Sequence, residues 1–445
     1  TNYTAFQAAA QSADVTYTLP TGAPAINGYI LQSTTAGVMS WIDPATAANA
    51  WSLTGNAGTN PANNFLGTTD AQDLELRVQG APLAANSRRL HFYTTGAIQR
   101  ADGITLPNSP GAGSVDFQST RTVAQVASGT NSVIGGGGNN IASGVNSTIA
   151  GGSNNTASES NSYVGGGITN LSQGLSGTIG GGDNNGNSGQ YGTIGGGKDN
   201  TQSSTGGTIG GGMTNSVRST STASTIGGGR ENTIGENSLY STIGGGYINV
   251  IPNSDSSTIG GGSKNTIQDE ADGSTIAGGI TNTINTNALV GSIGGGWQNI
   301  ITNTDSATIG GGSVNSVLNE SDASTIGGGS DNMIINASTL STIGGGRLNT
   351  ITNSDSSTIA GGTNNTVIND ADASTIGGGS DNTIQTGSLV STIGGGWTNT
   401  VTNTDSATIG GGAKNTIIDE SDGSTFSGGA DNIVTTTATV GTIGG

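Results

Sequence analysis

Single apolar residues return along this chain every 15 to 17 residues, each followed at once by a run of glycines. Taking the apolar residue before the glycines as position zero, it falls at Ile134, Ile149, Val164, Ile179, Ile194 and Ile209, spaced by 15. From Ile226 to Phe426 and Ile443 the spacing becomes 16 or 17, and the units number twenty in all. Gly stands at +2 in every unit and at +3 in every unit long enough to show it. Asn stands at +6 in nineteen units, including Asn232, Asn249, Asn265, Asn282, Asn299, Asn315, Asn332 and Asn349. From Ile226 onward, +8 is Ile or Val, as at Ile234, Ile251, Val317 and Val434. Side chains alternate faces along a strand, so 0, +6 and +8 share one side, which is the interior.

A repeat of this length cannot bury its apolar face alone and must stack on copies of itself. The pattern predicts an all-β chain: a parallel β-solenoid of about 20 coils over 126–445, with two short strands per coil bent at the glycines. Coils about 4.8 Å apart make a rod on the order of 95 Å long. An inward Asn would be unsatisfied in one isolated coil. Stacked amides can bond to one another and to turn backbone, so each coil is expected to satisfy its neighbour.

The outward positions carry less information. Position −1 is Thr in seventeen units, the exceptions being Val133, Tyr163 and Ser292, and β-branched Thr suits an exposed strand. A second period lies on the first. From Ile226 the spacings run 17, 16, 17, a super-unit of 50 residues. Position +4 of its second coil is Tyr247, Trp297, Arg347 and Trp397, which places these residues in one file about 14 Å apart. Two readings of the file stand side by side: a contact surface, with rings that could stack on sugars, or a cover for the apolar edge of a turn.

Acidic residues gather four positions before zero, at Asp255, Asp272, Asp305, Asp322, Asp355, Asp372, Asp405 and Asp422, with Glu270, Glu320, Asp370 and Glu420 close by. Neighbouring coils bring these carboxylates near enough to share Ca²⁺, a cation suited by loop oxygens. The alternative is a solvated ridge that keeps the rod soluble and discourages strand pairing.

Ahead of the array the pattern changes. Residues 1–45 hold a short helix candidate at Thr4 to Ala10, a strand near Val15 to Leu19 and a hairpin from Ile30 to Trp41 around Ala36-Gly37. This part reads as a cap or subunit-joining segment. Residues 46–125 read as a small β-rich adaptor, with strands at Leu74 to Val78 and Leu90 to Tyr93.

Composition narrows the function. Gly is 82 of 445 residues, aromatics are 4% and charged residues 9%, so the chain builds a thin core rather than a wide one. With a net charge of −18 and only 11 Lys and Arg, no basic surface for a phosphate backbone is available, so no nucleic-acid partner is expected. There is no Cys, hence no disulfide framework or thiolate metal site, and no apolar run long enough to span a bilayer. The chain starts at Thr1 without Met and stops at Gly445 within a repeat, so a signal peptide and a C-terminal anchor or cap are expected outside these residues. His91 is the single His and is expected to be structural. Carboxylates that repeat evenly do not form one distinct hydrolytic site. The glycine runs match neither a phosphate loop nor the calcium-binding nonapeptide repeat.

Units such as Asn146-Ser147-Thr148-Ile149-Ala150-Gly151-Gly152-Ser153-Asn154-Asn155-Thr156-Ala157-Ser158 resemble the head repeats of trimeric autotransporter adhesins. That resemblance implies a parallel β-roll in a homotrimer on a cell surface. The stretches from Val15 to Trp41 and from Trp51 to Val78 are similar to segments of bacterial surface proteins and phage tail-fibre-like proteins. The combined expectation is a non-enzymatic, adhesive component of an extracellular fibre without a resident cofactor, built by self-association as a trimer or a head-to-tail filament. The alternatives are a phage receptor-binding fibre and a glycan-binding solenoid.

Overall fold

The computed structural model describes residues 16–25, 27–42, 60, 66–77, 89–101, 110–120, 125–435 and 441–444. The helix candidate at Thr4 to Ala10 lies outside them. The chain divides into two units, 1–74 and 75–445. In the first, β1 (Ile30–Ser33) pairs antiparallel with β2 (Met39–Ile42), turning at Gly37, where φ is +79°. Thr18 bridges Val38, and the Trp41 indole donates to the Gly22 carbonyl at 2.8 Å. Strand β3 (Leu74–Arg77) straddles the division.

The second unit is the solenoid. Its described residues are all-β, about 19 coils deep, and every coil contributes a short strand at −1 and 0 and another at +7 and +8. Like pairs with like in parallel: Thr225 with Thr242, Ile226 with Ile243, and Thr233 with Val250. A third ladder, one residue wide, runs through position +4, where Arg230 bridges Tyr247, Tyr247 bridges Ser263 and so on to Ala430. The spacing pattern gave two strands per coil. The third was hidden because a single bridged residue leaves no alternation to read.

The core is thin and continuous. Ile226, Ile234, Ile243 and Ile251 have no exposed surface, and neither do their equivalents up to Phe426 at zero and Ile417 at +8. Each buried Ile contributes roughly 1.5–3 kcal/mol. The 15-residue coils have one such file, since their +8 positions are Ala142, Ala157, Ser172, Asn187 and Gln202. All variation in coil length falls in the arc between +8 and the next strand. The glycine arc from +1 to +6 keeps six residues throughout.

The reason is the asparagine ladder. Asn315 is buried and donates its Nδ2 hydrogens to the carbonyl of Gly311 in its own coil at 3.0 Å and of Gly329 in the next at 3.1 Å. Its Oδ1 accepts from the backbone N–H and Nδ2 of Asn332, both at 3.1 Å. With the further Nδ2 bond to Asn299 Oδ1 of the preceding coil at 3.1 Å, one amide joins three coils. Asn265, Asn282, Asn299, Asn332 and Asn349 repeat the glycine and Oδ1 bonds, and at Asn232 and Asn249 the Oδ1 accepts the next backbone N–H alone.

A second polar ladder lies across the core at −2. The Ser241 hydroxyl donates to the Ser254 carbonyl at 2.7 Å and accepts the Ser257 N–H at 3.1 Å. Buried serines at −5, including Ser238, Ser254 and Ser338, line the same side.

The first ladder begins ahead of residue 126. Strand β4 (Arg89–Phe92) pairs antiparallel with β5 (Ile98–Ala101), and β5 pairs in parallel with β6 (Val115–Asp116), which aligns Asp116 with Ile134. Gln99 and Asp116 thus occupy the zero file as buried polar residues. Gln118 Oε1 accepts the Asn140 N–H at 2.8 Å, the bond that a preceding Asn makes elsewhere. The Asp116 carboxylate accepts the backbone N–H of Gln118 and of Ala127, both at 3.2 Å. His91 stacks on Tyr93 with ring centroids 4.2 Å apart.

Each coil enters the left-handed region at the +3 glycine and again at +5 and −3, and most residues at the latter two positions are not glycine: Ile248 has φ +54° and Val314 +56°. There the N–H reverses direction and bonds to the preceding coil, as from Val314 to the Trp297 carbonyl at 2.9 Å. A β-branched residue in this conformation costs on the order of 1 kcal/mol or more. Other coils place Asn at +5, as Asn139, Asn154 and Asn364. Val314→Asn is therefore expected to stabilise the protein by about 1 kcal/mol, seen as a higher denaturation midpoint at unchanged m-value.

Candidate functional site

The two main ladders are joined by two arcs, which form opposite edges of the rod. The glycine arc carries the file read from the sequence. Tyr247, Trp297, Arg347 and Trp397 all lie on the single-residue ladder at +4, three coils apart. They stand outward: Trp297 and Trp397 are each 49% exposed and Tyr247 38%. Cations lie against the rings. The Arg230 guanidinium lies 5.4 Å from the Tyr247 ring centroid, and the Lys414 ammonium 5.2 Å from that of Trp397. Such contacts stabilise by about 0.5–1 kcal/mol at exposed sites and hold the rings in place.

Asp381 closes this cluster. Its carboxylate accepts from Asn364 Nδ2 at 2.7 Å and from the Ser380 hydroxyl at 2.5 Å. The Asn364 bond, then the Ser380 bond, hold its carboxyl below the usual carboxylate range, with a smaller contribution from Trp397.

The opposite arc is acidic, and its carboxylates have a backbone role. Asp255 Oδ1 accepts the Leu239 N–H at 2.7 Å, and Asp272 Oδ1 accepts the Asp255 N–H at 2.7 Å. The pattern recurs at Asp305 and Asp322, Asp355 and Asp372, and Asp405 and Asp422. Each aspartate reaches back one coil and caps an N–H that the turn leaves outside the ladders. Among the described residues, no three His, Cys, Asp or Glu side chains gather closely enough to hold a metal ion. An open groove of about 560 Å³ runs past Glu270, Asp272, Asp305, Glu320 and Asp322. The cap explains Asp at −4 without calling on Ca²⁺, and it makes a prediction. Asp322→Ala strips the Asp305 N–H of its acceptor and should cost about 0.5–1 kcal/mol. Asp322→Asn keeps an Oδ1 acceptor and lowers the charge, so its thermal midpoint should match or exceed that of the parent.

One feature of these edges escaped sequence reading. In each super-unit, the coil with an aromatic residue or Arg at +4 has no acid at −4. Its acidic arc instead shows apolar residues: Leu289 and Val290 opposite Trp297, Leu389 and Val390 opposite Trp397. Tyr240 lies opposite Tyr247, and Leu340 opposite Arg347 with its neighbour Leu348. From residue 236 to residue 426, ten of the twelve strongly exposed large apolar residues belong to these four coils. The rod thus wears an apolar hoop every third coil. The 50-residue period was the available signal. It was read on one arc only, because Leu and Val among Asn and Ser look like ordinary turn variation until both arcs are placed on one coil.

Among the described residues, no helix is long and apolar enough to cross a membrane. No family model matches the chain, and no curated protein matches it either.

Proposed function

We propose that this chain is a structural, non-enzymatic component of an extracellular or cell-surface fibre with an adhesive role. The observation that carries the reading is the axial continuity of the polar ladders: amides from Asn140 to Asn432 bond coil to coil beside an unbroken file of buried apolar residues. Such a rod resists bending and local unfolding because every coil is held by both neighbours. Its surface chemistry repeats evenly, which suits a scaffold presenting many equal contacts better than a single reaction centre. The resemblance to adhesin head repeats and fibre proteins points the same way.

Electron microscopy of the purified chain, together with its mass in solution, tests this. Filaments whose axial repeat matches one rod length support it, and removal of residues 1–45 should then abolish end-to-end growth. Discrete trimers of limited length would overturn the filament and favour an adhesin head or a phage fibre. The half-exposed rings of Trp297 and Trp397 favour a second role in glycan contact. Retardation on immobilised polysaccharide, lost on Trp297→Ala with Trp397→Ala, would establish it.

A further inference from the structure

The two arcs differ in charge as well as in length. Of the six Lys and Arg residues in 126–445, five stand at +4 or +5 on the glycine arc: Lys198, Arg230, Lys264, Arg347 and Lys414. Six carboxylates share those positions, and Lys198, Arg230 and Arg347 are ion-paired to Asp183, Glu231 and Asp331, so this arc is near neutral. The acidic arc from Glu236 to Asp422 holds fifteen carboxylates and no Lys or Arg. Both arcs carry the apolar hoops at the same axial period.

We propose that the rods pack side by side, the acidic arc of one copy against the glycine arc of the next, parallel and in register or shifted by whole super-units. Three arguments select a second copy as the occupant. First, the hoops recur every three coils, about 14 Å, and a partner with another repeat drifts out of step along the rod. Second, the charges admit only one pairing of acidic arcs. Acidic arc against acidic arc would set Asp255, Asp272 and their equivalents against one another, and like charges so placed are repulsive. Against the glycine arc, Lys264 meets the coil of Asp255, Lys414 meets that of Asp405, and Leu289 and Val290 meet Trp297. Third, the patterned strip is long enough for a contact that many copies reinforce. From Glu236 to Asp422 it spans twelve coils, about 58 Å by roughly 10 Å, and buries about 580 Å² per copy, the size of a weak pairwise interface that repetition across a raft strengthens. The two patches are different, so the contact is heterologous and does not close; it extends into a flat raft of rods. This association is lateral and does not depend on end-to-end growth.

The chain has no native Cys, so single cysteines report the pairing directly. Full-length Val290→Cys and Trp297→Cys are prepared separately, checked for parental circular dichroism, and oxidised alone and as a 1:1 mixture. The expected result is a several-fold excess of disulfide-linked dimer in the mixture over either variant alone. A mixture that crosslinks no better than its components overturns the proposal, as does preferential dimerisation of Val290→Cys alone. The same grids show whether end-to-end filaments form, so loss of lateral pairing is distinguishable from failure of the fibre reading. As a second measurement, Trp297→Ser with Trp397→Ser, which copies the serine found at +4 in Ser313 and Ser330, should lower the thermal midpoint only slightly, through loss of the Lys414 contact, and abolish rafts. Rafts that persist in this variant overturn the proposal.

Discussion

Asn315→Asp should be among the most damaging isosteric changes in the molecule, costing about 3–5 kcal/mol, the loss seen when a buried charge is left without a partner. The side chain keeps its shape and its Oδ1 still accepts from Asn332. The other end changes sign. Asn315 Nδ2 donates to the carbonyls of Gly311 and Gly329 and to Asn299 Oδ1, at 3.0 to 3.1 Å. An aspartate there sets a carboxylate oxygen against three acceptors in a site with no exposure to water. Asn315→Ala should cost less, about 1–3 kcal/mol, because it leaves unsatisfied groups but introduces no charge. Acid separates the two variants. Burial among acceptors raises the new carboxyl's folded pKa above its unfolded value, so protonation is favoured in the folded state. The Asp variant should therefore recover relative to the parent as pH falls through that raised pKa, since the acid regains one O–H donor, while the Ala variant should not. Equilibrium unfolding of both variants from pH 7 to pH 4 measures this. Amide exchange should show the lesion centred on the coils of Asn299, Asn315 and Asn332, as expected where each coil contacts only its neighbours.

What the sequence made legible follows the same physics. The files at 0, +6 and +8 could be read because each has one permitted chemistry repeated at a fixed place, and the structure buries them except at the last coils, where Asn432 and Val434 are half-buried and Ile443 is exposed. The need for an inward amide to bond along the stack was also readable, since an isolated coil cannot satisfy it. The serine ladder at −2 was not. Its Ser241 and Ser257 roles are filled at Ala307 and Ala407 by residues without a hydroxyl, which dilutes the pattern. The start of the ladder was hidden for a different reason: Gln118 replaces the missing Asn from a different offset, reaching Asn140 through its longer side chain. At the acidic arc, the sequence placed Asp255 and its equivalents correctly on one ridge but could not show that they face backbone N–H groups. That assignment depends on a turn leaving those N–H groups outside the ladders, and turn hydrogen bonding is not encoded in spacing.

Two adjacent glycines of one coil should respond in opposite ways to the same small change. Gly312→Ala is expected to cost several kcal/mol, and Gly311→Ala to stay within about 0.5 kcal/mol of the parent, the usual range for surface changes that disturb nothing. Gly312 stands at φ +88°, where an L side chain is strained, and the stack leaves it no room. A Cβ built there falls 2.1 Å from the Gly329 carbonyl oxygen, 2.7 Å from Asn315 Nδ2 and 2.8 Å from the Gly329 amide nitrogen. These are backbone atoms of the next coil and the ladder amide itself, so relief requires parting the coils at the place where Asn315 joins them. A Cβ on Gly311 meets nothing within 4 Å. Both positions are Gly in every unit long enough to show them, so repetition alone ranks them equally. Packing separates them: +3 is glycine because coils must touch there, whereas +2 faces outward. Paired thermal melts of the two variants decide the matter. Equal losses would mean that the coils do not approach as closely at +3 as this stacking requires, and the amide ladder that depends on that approach would then need a different geometry.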